Sequence, residues 1–227
     1  SLAGKRDKGW NSTKKYSDGK SQENIEDLFL EFARIAEDIQ PKVIIAENVR
    51  GIMMGASIMK LNEFLNKFES IGYIAAPKVL SAVDFGVAQK RERTILICVR
   101  KDVMEAVGLN ILTVSSVFPQ PTTGHVSLNN AIKDIVNDPD EVQELLDFVQ
   151  GGYQKKFLEP LPFNPKKTTK PSDKENLSWN PKASCFNMIR PCPDLPSPTL
   201  TAMGQKRGLS GVFHPASNRK LTVKELK

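Results

Sequence analysis

Ile25, Leu28, Phe29, Phe32, Ile35, Ala36 and Ile39 recur at spacings of three and four, the period that lines up one face of an α-helix. The pattern predicts an amphipathic helix from about Ser21 that stops at Pro41, because proline cannot continue the hydrogen-bond ladder. Residues 42–46 follow as a short strand, apolar on both faces, as in a parallel sheet covered on both sides. Leu61, Phe64, Leu65 and Phe68 mark a second amphipathic helix, and Gly72 fits its C-terminal cap. A strand around 73–80, a polar connection through 81–93 and a strand at 94–100 complete an α-β-α-β-β order. That order predicts the second half of a doubly wound α/β domain.

The texture changes after residue 120. Two short helices are predicted near 127–136 and 139–149, the first capped by Ser127 and the second opened by Asp138-Pro139. Between 151 and 198 prolines become dense and periodicity disappears, yet Tyr153, Phe157, Phe163, Trp179 and Phe186 are too many aromatics for a flexible linker. The segment reads as a small irregular domain with its own modest core. Residues 1–20, with Gly4, Gly9 and Gly19 among lysines, read as a mobile loop.

Composition changes this picture mainly through charge. The net charge of +6 is unevenly placed: 1–20 carries +4, 21–150 carries −7, 151–190 carries +5 and 191–227 carries +4. Basic flanks around an acidic centre put any polyanion on the flanks, the arrangement of a phosphate-contacting surface. Solubility lysines are the plainer reading of the same pattern. With 40% apolar and 26% charged residues the chain resembles an ordinary soluble protein, and no run approaches a membrane span. Cys98, Cys185 and Cys192 are odd in number and lack metal-ligand spacing, so reduced thiols in a cytoplasmic protein are expected, with no metal site.

Three motifs carry the candidate chemistry. Ala46-Glu47-Asn48-Val49-Arg50-Gly51 ends the apolar run Val43–Ile45 and puts a carboxylate where a buried strand runs out, the place where open α/β sheets bind ligands. Val83-Asp84-Phe85-Gly86-Val87-Ala88-Gln89-Lys90-Arg91-Glu92-Arg93 precedes a second apolar strand, and Arg219-Lys220-Leu221-Thr222-Val223-Lys224-Glu225 stands near the C-terminus. Together and in this order they resemble the C5-cytosine DNA methyltransferases. The resemblance implies a Rossmann-like methyltransferase domain with a small irregular target-recognition domain, methyl transfer from S-adenosylmethionine to C5 of a flipped-out cytosine in duplex DNA, and a part in DNA methylation or restriction-modification.

The resemblance also implies roles. Glu47 would meet the base at N3, where charge builds as the ring is activated; partial desolvation against Val43–Ala46 would favour its protonated form. Asn48 would hold the loop of the catalytic cysteine. Gln89, Arg91 and Arg93 match Gln-x-Arg-x-Arg, with Arg93 donating to the cytosine O2 and Arg91 organising the cysteine and phosphate side. Ala88 departs from the family's usual proline. Pro198-Thr199-Leu200-Thr201-Ala202 and His214-Pro215 match the return from the recognition domain, where Arg219 and Thr222 would order the fold and His214 would pack. Lys5, Arg6, Lys166, Lys167 and Lys170 are the expected DNA-backbone contacts.

Ser1-Leu2-Ala3-Gly4 matches the sequence that follows the Pro-Cys-Gln nucleophile motif, which places the catalytic cysteine four positions upstream of Ser1. The Phe-x-Gly-x-Gly cofactor loop and the terminal Gly-Asn-Ser-Val segment are not in these residues, and 10–24 lack the usual Asp-x-Arg. The expected division is 1–20 as the tail of the catalytic loop, 21–119 as part of the catalytic domain, 120–218 as the recognition domain, and 219–227 as the start of the return. By itself this segment is expected to be inactive. The alternative is a non-catalytic DNA-binding subunit of a split or degenerate enzyme, with a second chain carrying the cysteine and the cofactor loop. A cytoplasmic, nucleoid-associated prokaryotic protein is expected in either case. RNA is a conceivable substrate, but a recognition region of this size favours DNA.

Overall fold

A computed structural model describes residues 27–55, 57–122, 124–151, 155–159, 161–170, 188–201 and 211–227. The side chains of 27–30 and of Lys156 are outside that description. The chain divides into two compact units: one runs up to Leu80 and resumes at Glu92–Gln120, the other comprises Ser81–Arg91 and Pro121–Lys227.

The first unit is a three-stranded sheet with helices. Helix α1 (Asp27–Ile39) leads into β1 (Val43–Val49), a 3-10 turn at Arg50–Met53 and α2 (Ser57–Ser70). Strand β2 (Tyr73–Ser81) follows, and β4 (Glu92–Arg100) returns between β1 and β2. Gly72 takes φ +93° in the turn between α2 and β2, a conformation that only glycine adopts without strain. A six-residue helix, α3 (Lys101–Ala106), and a 3-10 turn at Val114–Val117 close the unit; the apolar period did not predict either.

Two layers hold this sheet. On one face Ala33 and Ala36 of α1 and Phe64 and Phe68 of α2 pack with Ile44, Tyr73, Leu96 and Cys98. Phe64 meets Phe68 edge-on at 4.5 Å, and Phe68 meets Tyr73 at 5.9 Å, the edge-to-face geometry that aromatic quadrupoles favour. The Tyr73 hydroxyl donates to the Pro41 carbonyl at 2.6 Å, tying the start of β2 to the entry of β1. On the other face Ala76, Ile97 and Val99 pack with Met104, Val114 and Phe118.

The sheet corrects one expectation. The apolar run at 42–46 predicts a strand covered on both sides of a parallel sheet. Instead β1 runs antiparallel to β4, and its residues alternate, with Ile44 buried while Val43 is 47% and Ile45 67% exposed. The physical reason is that α1 and α2 cover one face of β1, whereas the packing of α3 and the following turn reaches only β4 and β2. An unbroken apolar run hides that asymmetry, because both faces of the strand carry the same residue type.

The second unit is built from short pieces: a 3-10 turn at Ala82–Phe85, β3 (Gln89–Lys90), α4 (Leu128–Ile132), α5 (Pro139–Gln150), α6 (Lys155–Leu158), β5 (Met188–Ile189), β6 (Ser197–Pro198) and β7 (Gly211–Val212). Strand β3 pairs with β6 and β5 with β7, both parallel. The Ser127 hydroxyl accepts from Asn130 N–H at the start of α4, and Asp138 accepts from Asp140 N–H ahead of Pro139, as N-caps do. Helix α4 is shorter than the predicted 127–136. Val149, Phe157, Leu158, Leu161, Met188 and Phe213 form one small core, and Leu128, Ile132 and Leu221 another.

Candidate functional site

The register of β1 against β4 sets the first constellation. Val49 lies opposite Arg93, Asn48 opposite Thr94 and Glu47 opposite Ile95. Glu47 and Arg93 are therefore diagonal neighbours on one face, within reach of long side chains. A one-residue slip would turn Arg93 to the other face. In this register Arg93 Nε lies 2.6 Å from Glu47 Oε1. The Glu47 side chain is 52% exposed and that of Arg93 only 22%, so the carboxylate is open to a ligand while the guanidinium stem is packed. Arg93 Nη1 also donates to the Glu92 carbonyl at 2.8 Å, and Arg50 Nη1 donates to Glu92 Oε2 at 2.8 Å. Two crossed acid–base pairs thus fasten the C-terminal end of β1 to the start of β4.

This geometry differs from the expected setting of Glu47. A partly desolvated carboxyl was anticipated. The structure shows a half-exposed carboxylate beside a guanidinium, because the face of β1 that carries Glu47 is the uncovered one. Asn48, one position on, falls on the opposite face, and its Oδ1 accepts from Val49 N–H at 2.8 Å. The structure brings Glu47 and Arg93 together and turns Asn48 away from them.

Gln89 and Arg91 belong to the second unit. The Gln89 Oε1 accepts from Leu200 N–H at 3.2 Å. Arg91 is half-buried, and its carbonyl accepts from Ala82 N–H at 3.0 Å. Lys166 and Lys167 are exposed and Lys170 is half-buried, next to the antiparallel bridge Thr169–Arg190. Lys5 and Arg6, with the rest of 1–20 and Cys185, lie outside the described residues. Cys98 is buried on β4, and burial pushes its thiol up to about 12, so it stays protonated and unreactive. Among the described residues no cluster of His, Cys, Asp and Glu could hold a metal ion.

A second constellation fills the end of the chain. Arg219 Nη1 and Nη2 donate to Glu225 Oε2 and Oε1, both at 2.8 Å, a two-pronged match of guanidinium to carboxylate. Glu225 also accepts from Thr222 N–H at 2.9 Å and Asn137 Nδ2 at 2.7 Å. Burial pushes the Glu225 carboxyl up, but Arg219 and the Thr222 amide outweigh it and leave it at about 2. His214 Nδ1 accepts from Ala216 N–H, which leaves the ring proton on Nε2, 3.7 Å from Glu225 Oε1. Burial, with help from Arg219, lowers His214 to about 4, so it is neutral and packed. Motif reading named Arg219 and Thr222 as organisers of this region; it did not name Glu225 or Asn137 as their partners.

Two buried cations were missed. Arg190 is fully buried and donates to the carbonyls of His214 and Ser217, each at 2.9 Å, and to Asn218 Oδ1 at 2.5 Å. Lys220 is fully buried with Nζ 3.8 Å from the Phe213 ring centre, and burial lowers its ammonium to about 7. Aromatic neighbours stabilise such cations. Charged residues are rarely this buried, so no sequence signal marked either one.

The model of one family, C-5 cytosine-specific DNA methylase, matches residues 7–227. The Type II methyltransferase M.Eco47II of Escherichia coli is 31% identical over 219 residues, covering 87% of this chain and 47% of that protein. M1.HphI of Haemophilus parahaemolyticus, also a Type II methyltransferase, is 32% identical over 88% of this chain and 50% of its own length. M.HhaI from the same organism is 35% identical over 119 residues, 52% of this chain and 33% of its own. This chain thus spans about half the length of the first two relatives. Among solved structures, one described as a DNA modification methyltransferase encoded within an E. coli prophage covers 90% of this chain and 63% of its own, with TM-score 0.54 and 19% identity. At that identity the likeness speaks for the fold.

Proposed function

The chain belongs to the C-5 cytosine-specific DNA methylases, and from that premise we propose that it is the base-binding and recognition part of a DNA (cytosine-5)-methyltransferase. The complete enzyme transfers a methyl group from S-adenosylmethionine to C5 of a cytosine flipped out of duplex DNA. The first unit is the second half of a doubly wound methyltransferase domain. Residues from about 120 to 218 read the target, and 219–227 begin the return to the catalytic domain. The observation that carries this reading is the Glu47–Arg93 pair, 2.6 Å apart at the end of β1 and open on the carboxylate side.

The pair suits the edge of a cytosine. N3 and O2 are adjacent acceptors on the ring, and Glu47 and Arg93 are adjacent groups of opposite kind. When the cysteine thiolate adds to C6, electron density moves onto N3 and O2 as C5 becomes nucleophilic. Glu47 shares a proton at N3, and Arg93 supplies fixed donors at O2 with no proton equilibrium of its own. Entry of the base replaces the direct ion pair, which at this exposure contributes only about 0–1 kcal/mol, so the site opens at little cost. The Phe-x-Gly-x-Gly loop expected to hold the methyl donor is not among these residues. Their part is on the side of the base.

Val43 and Ile45 leave an apolar strip on the open face of β1. That strip supports a reading in which the remainder of the catalytic fold packs there, supplied by the same polypeptide or by a second chain. No helix among the described residues is long and apolar enough to cross a membrane.

Glu47→Gln in the complete enzyme tests the assignment. An amide can donate to the base but cannot share a proton at N3, so the single-turnover rate should fall about 10²–10⁴-fold with duplex affinity nearly unchanged. A rate close to wild type would remove Glu47 from the chemistry.

A further inference from the structure

Residues 82–91, which end at Arg91, are held at both ends within the second unit. Ala82 N–H donates to the Arg91 carbonyl at 3.0 Å, and Val87 N–H returns to Ala82 at 3.2 Å. Gly86, at φ +78°, makes the turn. The other side of this loop is clasped by residues more than a hundred positions later. Ser197 N–H donates to the Ala88 carbonyl at 2.8 Å, and β3 pairs with β6 through Gln89–Ser197 and Lys90–Pro198.

Pro198 has no N–H to give to this short ladder. Two side chains repair the gap. The Thr199 hydroxyl donates to the Lys90 carbonyl at 2.6 Å, and Gln89 Oε1 receives Leu200 N–H at 3.2 Å. Ser197 is buried, and its hydroxyl donates to the Pro198 carbonyl at 2.9 Å. The same segment reaches back to α4: Leu128 N–H donates to the Leu195 carbonyl at 3.0 Å and Asn129 N–H to that of Pro193 at 2.9 Å. One stretch of chain therefore accepts the first free N–H groups of α4 at one end and fixes the backbone ahead of Arg91 at the other.

We propose that residues 193–200 are a positioning strap for Arg91, with Thr199 and Gln89 as its two side-chain clasps, so that the seating of this segment sets the backbone from which Arg91 is presented. Gln89 is then a positioning residue and does not touch the base. The proposal rests on the functional reading above. It goes beyond that reading by assigning Thr199 a part in the chemical step and by making the rate sensitive to the recognition side.

The test uses the complete enzyme in four variants. Thr199→Val keeps the shape and removes the donor; Thr199→Ser keeps the donor. Gln89→Met removes the acceptor; Gln89→Glu keeps it. The valine and methionine variants should slow single-turnover methyl transfer about 10- to 100-fold, the scale of loss when reacting groups are slightly misplaced. Duplex affinity should hold, and the serine and glutamate variants should recover most of the rate. Deuterium uptake by the peptide spanning 82–91 should quicken in Thr199→Val and Gln89→Met, with the peptides of α5 unchanged. Wild-type rate in Thr199→Val overturns the strap, as does equal loss in Thr199→Val and Thr199→Ser. A fall in duplex affinity at unchanged rate also overturns it, because the segment would then be reading DNA. Global loss of protection in one variant shifts the decision to the other clasp. Glu47→Gln in the same assay separates the two ideas: a slow Glu47→Gln beside unaffected strap variants sinks the strap alone. Insensitivity at Glu47 sinks the site assignment on which the strap depends.

Discussion

Two of the glutamate–arginine pairs among the described residues have opposite fates. Glu47–Arg93 has one contact at 2.6 Å and a half-exposed carboxylate. Glu225–Arg219 has two contacts at 2.8 Å, and its carboxylate also receives the Thr222 amide and the Asn137 side chain with almost no exposure. The difference lies in the number of other partners and in access to water. The first pair can open for a ligand because little is lost when it parts. The second is sealed, and parting it would strand a buried charge. Chemical identity does not decide whether an ion pair is machinery or scaffold; its surroundings do.

The largest effect that would break this comparison is on stability. Arg219→Ala leaves Glu225 buried with half of its partners and should destabilise the second unit by about 3–5 kcal/mol. Glu47→Gln should shift stability by less than about 1 kcal/mol. Urea denaturation of both variants, followed by tryptophan fluorescence and circular dichroism, makes the comparison directly. Equal shifts would mean that the two pairs are equivalent scaffolds.

A further effect, about 3 kcal/mol for each of two groups, should appear with pH. His214 sits at about 4 in the fold against 6.5 ordinarily. As pH falls below 6.5 the unfolded chain takes up this proton first, so stability is full above 6.5 and declines until about pH 4. Glu225, held at about 2 against 4.5, contributes stability above 4.5 that is lost as pH falls toward 2. His214→Asn should remove the slope between 6.5 and 4 and leave the lower one. Denaturation midpoints that fall equally in wild type and variant over that window would show that His214 does not drive it.

These residues also show where sequence reading succeeds and where it stops. The helix face of α2, the existence of α1, the Asp138-Pro139 start of α5 and the strands at 73 and 94 were legible because local period and capping chemistry determine them. The face of α1 was not, since Ile35 and Ile39 of the expected stripe are 45% and 70% exposed while Ala33 is buried. Nor was the antiparallel return of β4, since strand pairing is a long-range choice that an apolar run does not encode. Glu47 and Arg93 were legible as motif residues, yet their diagonal contact depends on register. Gln89 was grouped with the arginines by spacing, and only the fold shows its amide bound to Leu200. Arg190 could not be found by any local rule, because its partners at Leu158, His214, Ser217 and Asn218 lie far from it in the chain.

The smallest expected effect concerns charge with no sealed geometry, the open end of the same comparison. Lys166 and Lys167 are exposed and Lys170 half-buried, on a segment held by the Thr169–Arg190 bridge. If they meet DNA phosphates, they contribute affinity without sequence preference. Replacing all three with glutamine in the complete enzyme should weaken binding to target and non-target duplexes to a similar degree. The slope of log affinity against log salt should flatten by about 0.9 for each phosphate contact removed. Loss on the target alone would make these lysines readers of bases instead of phosphate contacts. An unchanged salt slope would place them on a solvated face away from the duplex. The backbone contacts should then be sought among Lys5, Arg6 and the other basic residues of 1–20, where the +4 charge of that segment provides the same electrostatic attraction.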